Sequence, residues 1–187
     1  MTTLTLVLLG LVVVIGALVA YVATLPDAFR IERSQQIRAN ADTVFARIDD
    51  LREFNAWNPF AVADPSTRIV YSGPSRGTGA AYEWDSTGRG GKGRMTVVES
   101  QTARKVVMRL EFLKPFTATN TAEFSLVSEG PVTNITWAMT GTCGFVHKLC
   151  GLVFNSDKMV GGEFAKGLAS LKDLVEGPVG NRSAAAA

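Results

Sequence analysis

Residues 157–176 read DKMVGGEFAKGLASLKDLVE, and the apolar positions Val160, Phe164, Leu168, Leu171 and Val175 recur at intervals of four, four, three and four. That spacing draws one stripe of an amphipathic helix, and Gly177-Pro178 closes it. Gly161, Gly162 and Gly167 lie within the helix at a cost of about 1 kcal/mol each relative to alanine, which points to places where the backbone approaches a neighbour closely. Upstream of this helix and back to Asp27 the chain is written mostly in another period.

There the alternation is two. Phe29, Ile31, Arg33, Gln35 and Ile37 alternate with charged residues in a first strand. Asn40 then caps a short helix carrying Val44, Phe45, Ile48 and Leu51, and a second runs from about Leu51 to Ala56, stopping near Asn58 because Pro59 follows. Six more strands are expected. Their marked residues are Ile69 and Tyr71, then Ala80, Tyr82 and Trp84, then Gly93, Met95 and Val97. Next come Val106, Met108, Leu110 and Phe112, then Ala118, Asn120, Ala122, Phe124 and Leu126, and last Ile135, Trp137 and Met139. Clusters of Gly, Pro and Ser separate them. The fold class is therefore α+β: a seven-stranded antiparallel sheet, two short helices and one long terminal helix. A single helix about 10 Å across is too narrow to fill the concave face of such a sheet, so a cavity between them is expected.

The N-terminus belongs to neither part. Leu4 to Leu25 is a run of 22 uncharged residues, about 33 Å as a helix and sufficient for a bilayer core. A cleaved signal peptide would need a basic start and small residues at the cleavage site, whereas the chain opens Met-Thr-Thr and carries Tyr21 three residues before a cut after Ala23. A retained single-pass anchor over residues 4–25 is expected, followed by a domain over 28–177 and a disordered tail over 178–187. Arg30, Arg33 and Arg38 follow the span and no basic residue precedes it, which favours the cytoplasmic side for the domain.

Composition removes other classes. The 19 basic and 17 acidic residues leave a net charge of +2, too little for a nucleic-acid partner. Two cysteines exclude a disulfide framework. Cys143, His147 and Cys150 are spaced four and three but sit among glycines with no carboxylate to complete a set, so neither a metal nor thiol chemistry is expected there. The run Gly88-Arg-Gly-Gly-Lys-Gly93 lacks the Lys-Ser or Lys-Thr ending and the following helix of a phosphate loop, and reads as a mobile hairpin turn. No motif calls for a cofactor.

The pieces Phe29-Arg-Ile-Glu-Arg-Ser34, Ala41-Asp-Thr-Val-Phe45, Trp57-Asn-Pro-Phe60, Tyr71-Ser-Gly-Pro74, Phe112-Leu-Lys-Pro-Phe116 and Asp157-Lys-Met-Val-Gly161, in that order, resemble the helix-grip superfamily. That superfamily includes the birch pollen allergen, START domains and the polyketide cyclase and dehydrase group. The likeness is nearest to its membrane-anchored bacterial members, the SRPBCC proteins, and covers about residues 28 to 176. The resemblance implies a pocket and not a reaction.

The inward strand rows supply its candidate lining: Tyr82, Trp84, Met95, Phe112, Asn120, Trp137 and Met139, aromatic and thioether surface with few polar handles. Glu83, Asp85, Glu99, Glu111 and Glu123 alternate onto the other face, which leaves no carboxylate pair for acid and base roles. The expected function is binding of an apolar or amphipathic small molecule or lipid by a membrane-anchored domain. Two alternatives stand beside it: a cyclase or dehydratase with Tyr82 and Asn120 polarising a carbonyl, and an interaction module whose cavity has collapsed.

Overall fold

The computed structural model describes residues 3–62, 64, 66–88, 90–142, 144, 148 and 156–177. Cys143, His147, Cys150 and residues 178–187, about which the sequence raised expectations, lie outside the described residues.

Helix α1 spans Thr3–Thr24, and its segment Val7–Thr24 is long and apolar enough to cross a membrane. Among its described side chains the large apolar ones are almost all exposed. Val22 is the exception and is fully buried.

Strand β1 (Ala28–Ile37) leads into three short helices, α2 (Ala41–Asp49), α3 (Leu51–Asn55) and α4 (Pro59–Val62). One chemistry starts all three. The side chain of Asn40 accepts from the Thr43 N–H, that of Asp50 from Arg52 and that of Asn58 from Phe60, each satisfying a donor that has no partner within its helix. The third helix corrects the expectation of two. A proline at the first helical position lacks only a donor that would be unpaired anyway, so Asn58-Pro59 ends α3 and also begins α4.

Six strands follow: β2 (Arg68–Ser72), β3 (Ala81–Asp85), β4 (Lys92–Gln101), β5 (Lys105–Lys114), β6 (Ala118–Glu129) and β7 (Val132–Thr142). They form one antiparallel sheet in the order β1-β7-β6-β5-β4-β3-β2. The expected fold class holds: a curved seven-stranded antiparallel sheet, short helices, a long C-terminal helix and an apolar N-terminal helix.

Helix α5 (Ser156–Glu176) lies along β1 and is tied to it at both ends. At the start, the Arg33 guanidinium donates to both carboxylate oxygens of Asp157 at 3.1 and 2.9 Å and to its carbonyl at 3.1 Å. At the finish, the Arg38 N–H donates to Glu176 and Lys172 donates to the Gln36 carbonyl. The inward-facing Arg33, out of place in an apolar row, is thereby explained. Gly161 makes room for it, since a β-carbon there would stand 2.2 Å from the guanidinium. Gly167 does the same for Pro59 and Trp137, at 2.8 and 3.0 Å. Gly162 faces open space, so only two of the three helix glycines serve close approach.

Between sheet, α2, α3 and α5 the core is filled and aromatic. Phe54, Trp57, Phe124, Trp137 and Phe164 are all buried and meet edge to face or stacked, with Trp137 flat on Phe164 at 4.1 Å between centroids.

Candidate ligand-binding face

Register orders the inner face of the sheet into rungs. Val106, Phe124, Trp137 and Arg33 form one, and Val97, Met108, Ala122, Met139 and Ile31 the next. After it comes Tyr71, Tyr82, Met95, Leu110, Asn120, Gly141 and Phe29. The last is Ile69, Trp84, Gly93, Phe112 and Ala118. These two final rungs lie at the end of the sheet from which α1 departs, because β1 begins there.

All seven residues expected to line a pocket lie on this inner face, but they fall into two groups. Tyr82, Met95 and Trp137 are buried in the core. Trp84, Phe112, Asn120 and Met139 are half-buried, in the company of Phe29 and Leu110. The first group fills space. The second leaves apolar surface open at one end of the sheet.

Two glycines shape that end. Trp84 lies across Gly93, where a β-carbon would stand 2.3 Å from its ring, and meets Phe112 edge to face at 5.6 Å. Asn120 lies across Gly141 in the same way, with a β-carbon position 2.1 Å from its Oδ1, and its Nδ2 points to the Met139 sulfur at 3.9 Å. Such a sulfur is a weak acceptor, so the amide retains hydrogen-bonding capacity for another partner.

The polar handles are distributed unevenly. Trp84 Nε1 donates to the Gly90 carbonyl of the glycine-rich turn at 3.0 Å. Trp57 Nε1 donates to the Arg47 carbonyl at 2.9 Å. Trp137 Nε1 is buried with no hydrogen-bond partner. A buried donor left unmatched costs about 1–3 kcal/mol, and an acceptor brought by a ligand or water removes that cost.

Tyr82 belongs to a separate cluster. Burial pushes its phenol well above the usual range, the neighbouring Tyr71 adds to the shift, and a hydrogen bond with Asn58 opposes it. Asn58 Nδ2 donates to Asn55 Oδ1 and Asn55 Nδ2 to the Tyr71 hydroxyl, each at 3.2 Å, while Arg52 sits over the Tyr71 ring at 4.2 Å. A surface pocket of about 200 Å³ adjoins this cluster, lined by Leu51, Arg52, Tyr71, Pro74 and Ala81 among others. It includes none of the seven expected residues. Tyr82 and Asn120 share a rung but stand three strand spacings apart, about 14 Å, so they do not converge on one atom.

On the outer face the carboxylates stand as expected. Glu83 pairs with Arg94, Asp85 with Lys92 and Glu99 with Lys105. Sequence reading passed over Phe60, which α4 sets edge-on to Trp137 and Phe164 while leaving it half exposed, and it passed over Phe29, Leu110, Asn55 and Asn58 as site residues. For Phe60 and Asn58 the signal was present in the Trp57-Asn-Pro-Phe60 turn. Phe29 and Leu110 had the right alternation and no distinguishing chemistry.

A family model described as polyketide cyclase / dehydrase and lipid transport matches residues 28–176. Among solved structures, protein CV1439 from Chromobacterium violaceum is 13% identical with a TM-score of 0.56, over 82% of this chain and 100% of that one. The Aha1 dimer from Colwellia psychrerythraea is 16% identical with a TM-score of 0.55, over 81% and 99%. The di-domain ARO/CYC protein StfQ from the steffimycin biosynthetic pathway is 14% identical with a TM-score of 0.58, over 80% of this chain and 51% of that one. At these identities the likeness is one of fold. No curated protein sequence matches the chain.

Proposed function

Residues 28–176 belong to the polyketide cyclase / dehydrase and lipid transport family, and from that premise we propose that this protein holds an apolar or amphipathic small molecule, such as a lipid, against the open end of its inner sheet face. In this reading α1 is a retained single-pass anchor and residues 28–177 are the binding domain, on the cytoplasmic side of the cell membrane. One observation carries the proposal. Phe29, Trp84, Leu110, Phe112, Asn120 and Met139 share the inner face at one end of the sheet and are only half-buried, whereas Trp137, Phe124, Met108 and Ile135 further along the same face are buried. Six such side chains with a single amide among them suit a ligand that is mostly hydrocarbon with one polar group.

The chemistry favours binding over turnover. Tyr82 stays protonated, Asn120 stands too far from it to share a substrate atom, and the outer-face carboxylates point away. The test is a domain beginning at Asp27 titrated with an apolar fluorescent probe. Phe112→Ala and Met139→Ala should each weaken binding about tenfold, near 1.4 kcal/mol, measured on the folded fraction because both side chains are half-buried and their truncation also costs stability. Unchanged affinity in both variants would move the ligand elsewhere.

A further inference from the structure

The turns at the open end carry apolar side chains that no element of the fold covers. Phe116, at the tip of the β5–β6 hairpin, is 74% exposed, and Leu113 on its β5 arm is 50% exposed. Lys114 stands between them, exposed and close enough to the Lys92–Asp85 pair to act on Asp85. The hairpin is not an isolated flap. Gly91 of the β3–β4 turn, at φ +60°, packs so close that a β-carbon would stand 2.1 Å from the Lys114 carbonyl. Trp84 pins that turn through Gly90. The two turns therefore pack together into one rim.

Register says where the rim lies. Asn120 is level with Gly141, which is level with Phe29. Phe116 lies two residues before the first residue of β6, Ala118, and Thr24, the last residue of α1, lies four before the first residue of β1, Ala28, so both chains leave the sheet at the same end. The residues that follow the helix meet a lysine of the chain beyond β7. Lys148 Nζ, scarcely exposed, donates to the Leu25 carbonyl at 2.6 Å and pairs with Asp27 at 2.5 Å. An exposed Phe-Leu pair with an adjacent exposed lysine, at the end of the sheet where a membrane-length helix joins it, has the make-up of an interfacial contact: apolar and aromatic groups in the headgroup boundary and a cation among phosphates.

We propose that the β5–β6 hairpin is a second membrane contact, placing Phe116 and Leu113 in the interface of the bilayer that α1 enters and Lys114 among its headgroups. The proposal rests on α1 being an anchor. With both points engaged, the open end of the inner sheet face is held against the lipid surface, which gives an amphipathic ligand a short path between bilayer and domain.

The full-length chain reconstituted in vesicles of phosphatidylcholine and phosphatidylglycerol tests this. Tryptophan introduced as Phe116→Trp should add emission that is blue-shifted and lost when the lipids carry bromine near the headgroup end of the acyl chain. The same change at the opposite end of the sheet, Glu129→Trp, should add emission that bromine leaves alone. A Phe116→Asp variant should remain in the membrane after alkaline carbonate yet exchange its amide hydrogens at 113–117 faster than wild type. If carbonate strips the wild-type chain, the anchor reading fails and this proposal falls with it. If the chain stays but the added indole is unquenched, the hairpin proposal alone is overturned, and blue-shifted emission without quenching would assign the rim to a protein contact instead.

Discussion

Substitution of the helix α5 glycines by alanine separates close approach from mere permissiveness. Gly162 and Gly167 both lie inside a 21-residue helix, so each replacement gains about 1 kcal/mol of helix propensity. At Gly162 nothing stands within 4 Å of the new methyl group, and the whole gain is kept. At Gly167 the methyl would meet Pro59 Cδ at 2.8 Å and Trp137 Cζ3 at 3.0 Å. Both belong to rings that cannot rotate out of the way, and overpacking of this sort costs about 1–3 kcal/mol. Gly162→Ala should therefore stabilise by about 1 kcal/mol, and Gly167→Ala should fall between neutral and about 2 kcal/mol destabilising. For a domain of this size 1 kcal/mol corresponds to about 2–4 °C, so the two variants should melt at least a few degrees apart by far-ultraviolet circular dichroism. The same Gly167→Ala change should redden or broaden tryptophan emission through Trp137. If Gly167→Ala melts at or above Gly162→Ala, the helix does not press on Pro59 and Trp137 as described.

Three further outcomes are expected. Folding depresses the carboxyls of Asp157, through its hydrogen bonds from Arg33, and of Glu176, through the Arg38 N–H. Their contribution to stability is therefore complete above the unfolded carboxylate range, around pH 4, and is lost as pH falls through the lower folded values, so Asp157→Asn should lower the stability plateau between pH 6 and 8 and flatten the acid limb of a denaturation profile. Trp137→Phe removes a buried N–H that has no hydrogen-bond partner, and because Trp137 lies in the filled core and not at the open end, it should leave probe affinity unchanged, which the same titration reads. The intact mass of the mature protein should retain residues 1–26, and a loss of 20 to 25 residues would show cleavage instead of anchoring.

The strand rows were legible because many inner residues are flanked by charged or polar ones whose partners lie on the outer face, such as Glu83 with Arg94 and Asp85 with Lys92. Asn40 was legible as a cap for a similarly local reason. Sheet order was not. That β1 pairs with β7 and not with β2 depends on contacts more than a hundred residues apart, and nothing in either strand's own pattern names its neighbour. Helix α4 escaped because four residues are too few for a period and a proline opens it. The site was half legible. Alternation placed all seven expected residues on the inner face but could not say which of them the three short helices and α5 would cover, and that cover is what divides Trp137 from Met139. The helix glycines look alike in sequence, and only the position of Arg33, Pro59 and Trp137 tells Gly161 and Gly167 from Gly162.

Native mass spectrometry of the full chain, extracted in nanodiscs from the cells that make it and released gently, addresses the binding claim most directly. The account predicts a peak heavier than the chain by the mass of one small lipid or metabolite, lost at higher collision energy and reduced in Phe112→Ala and Met139→Ala. A folded chain that carries only its own mass, with no such adduct in any preparation, would contradict it.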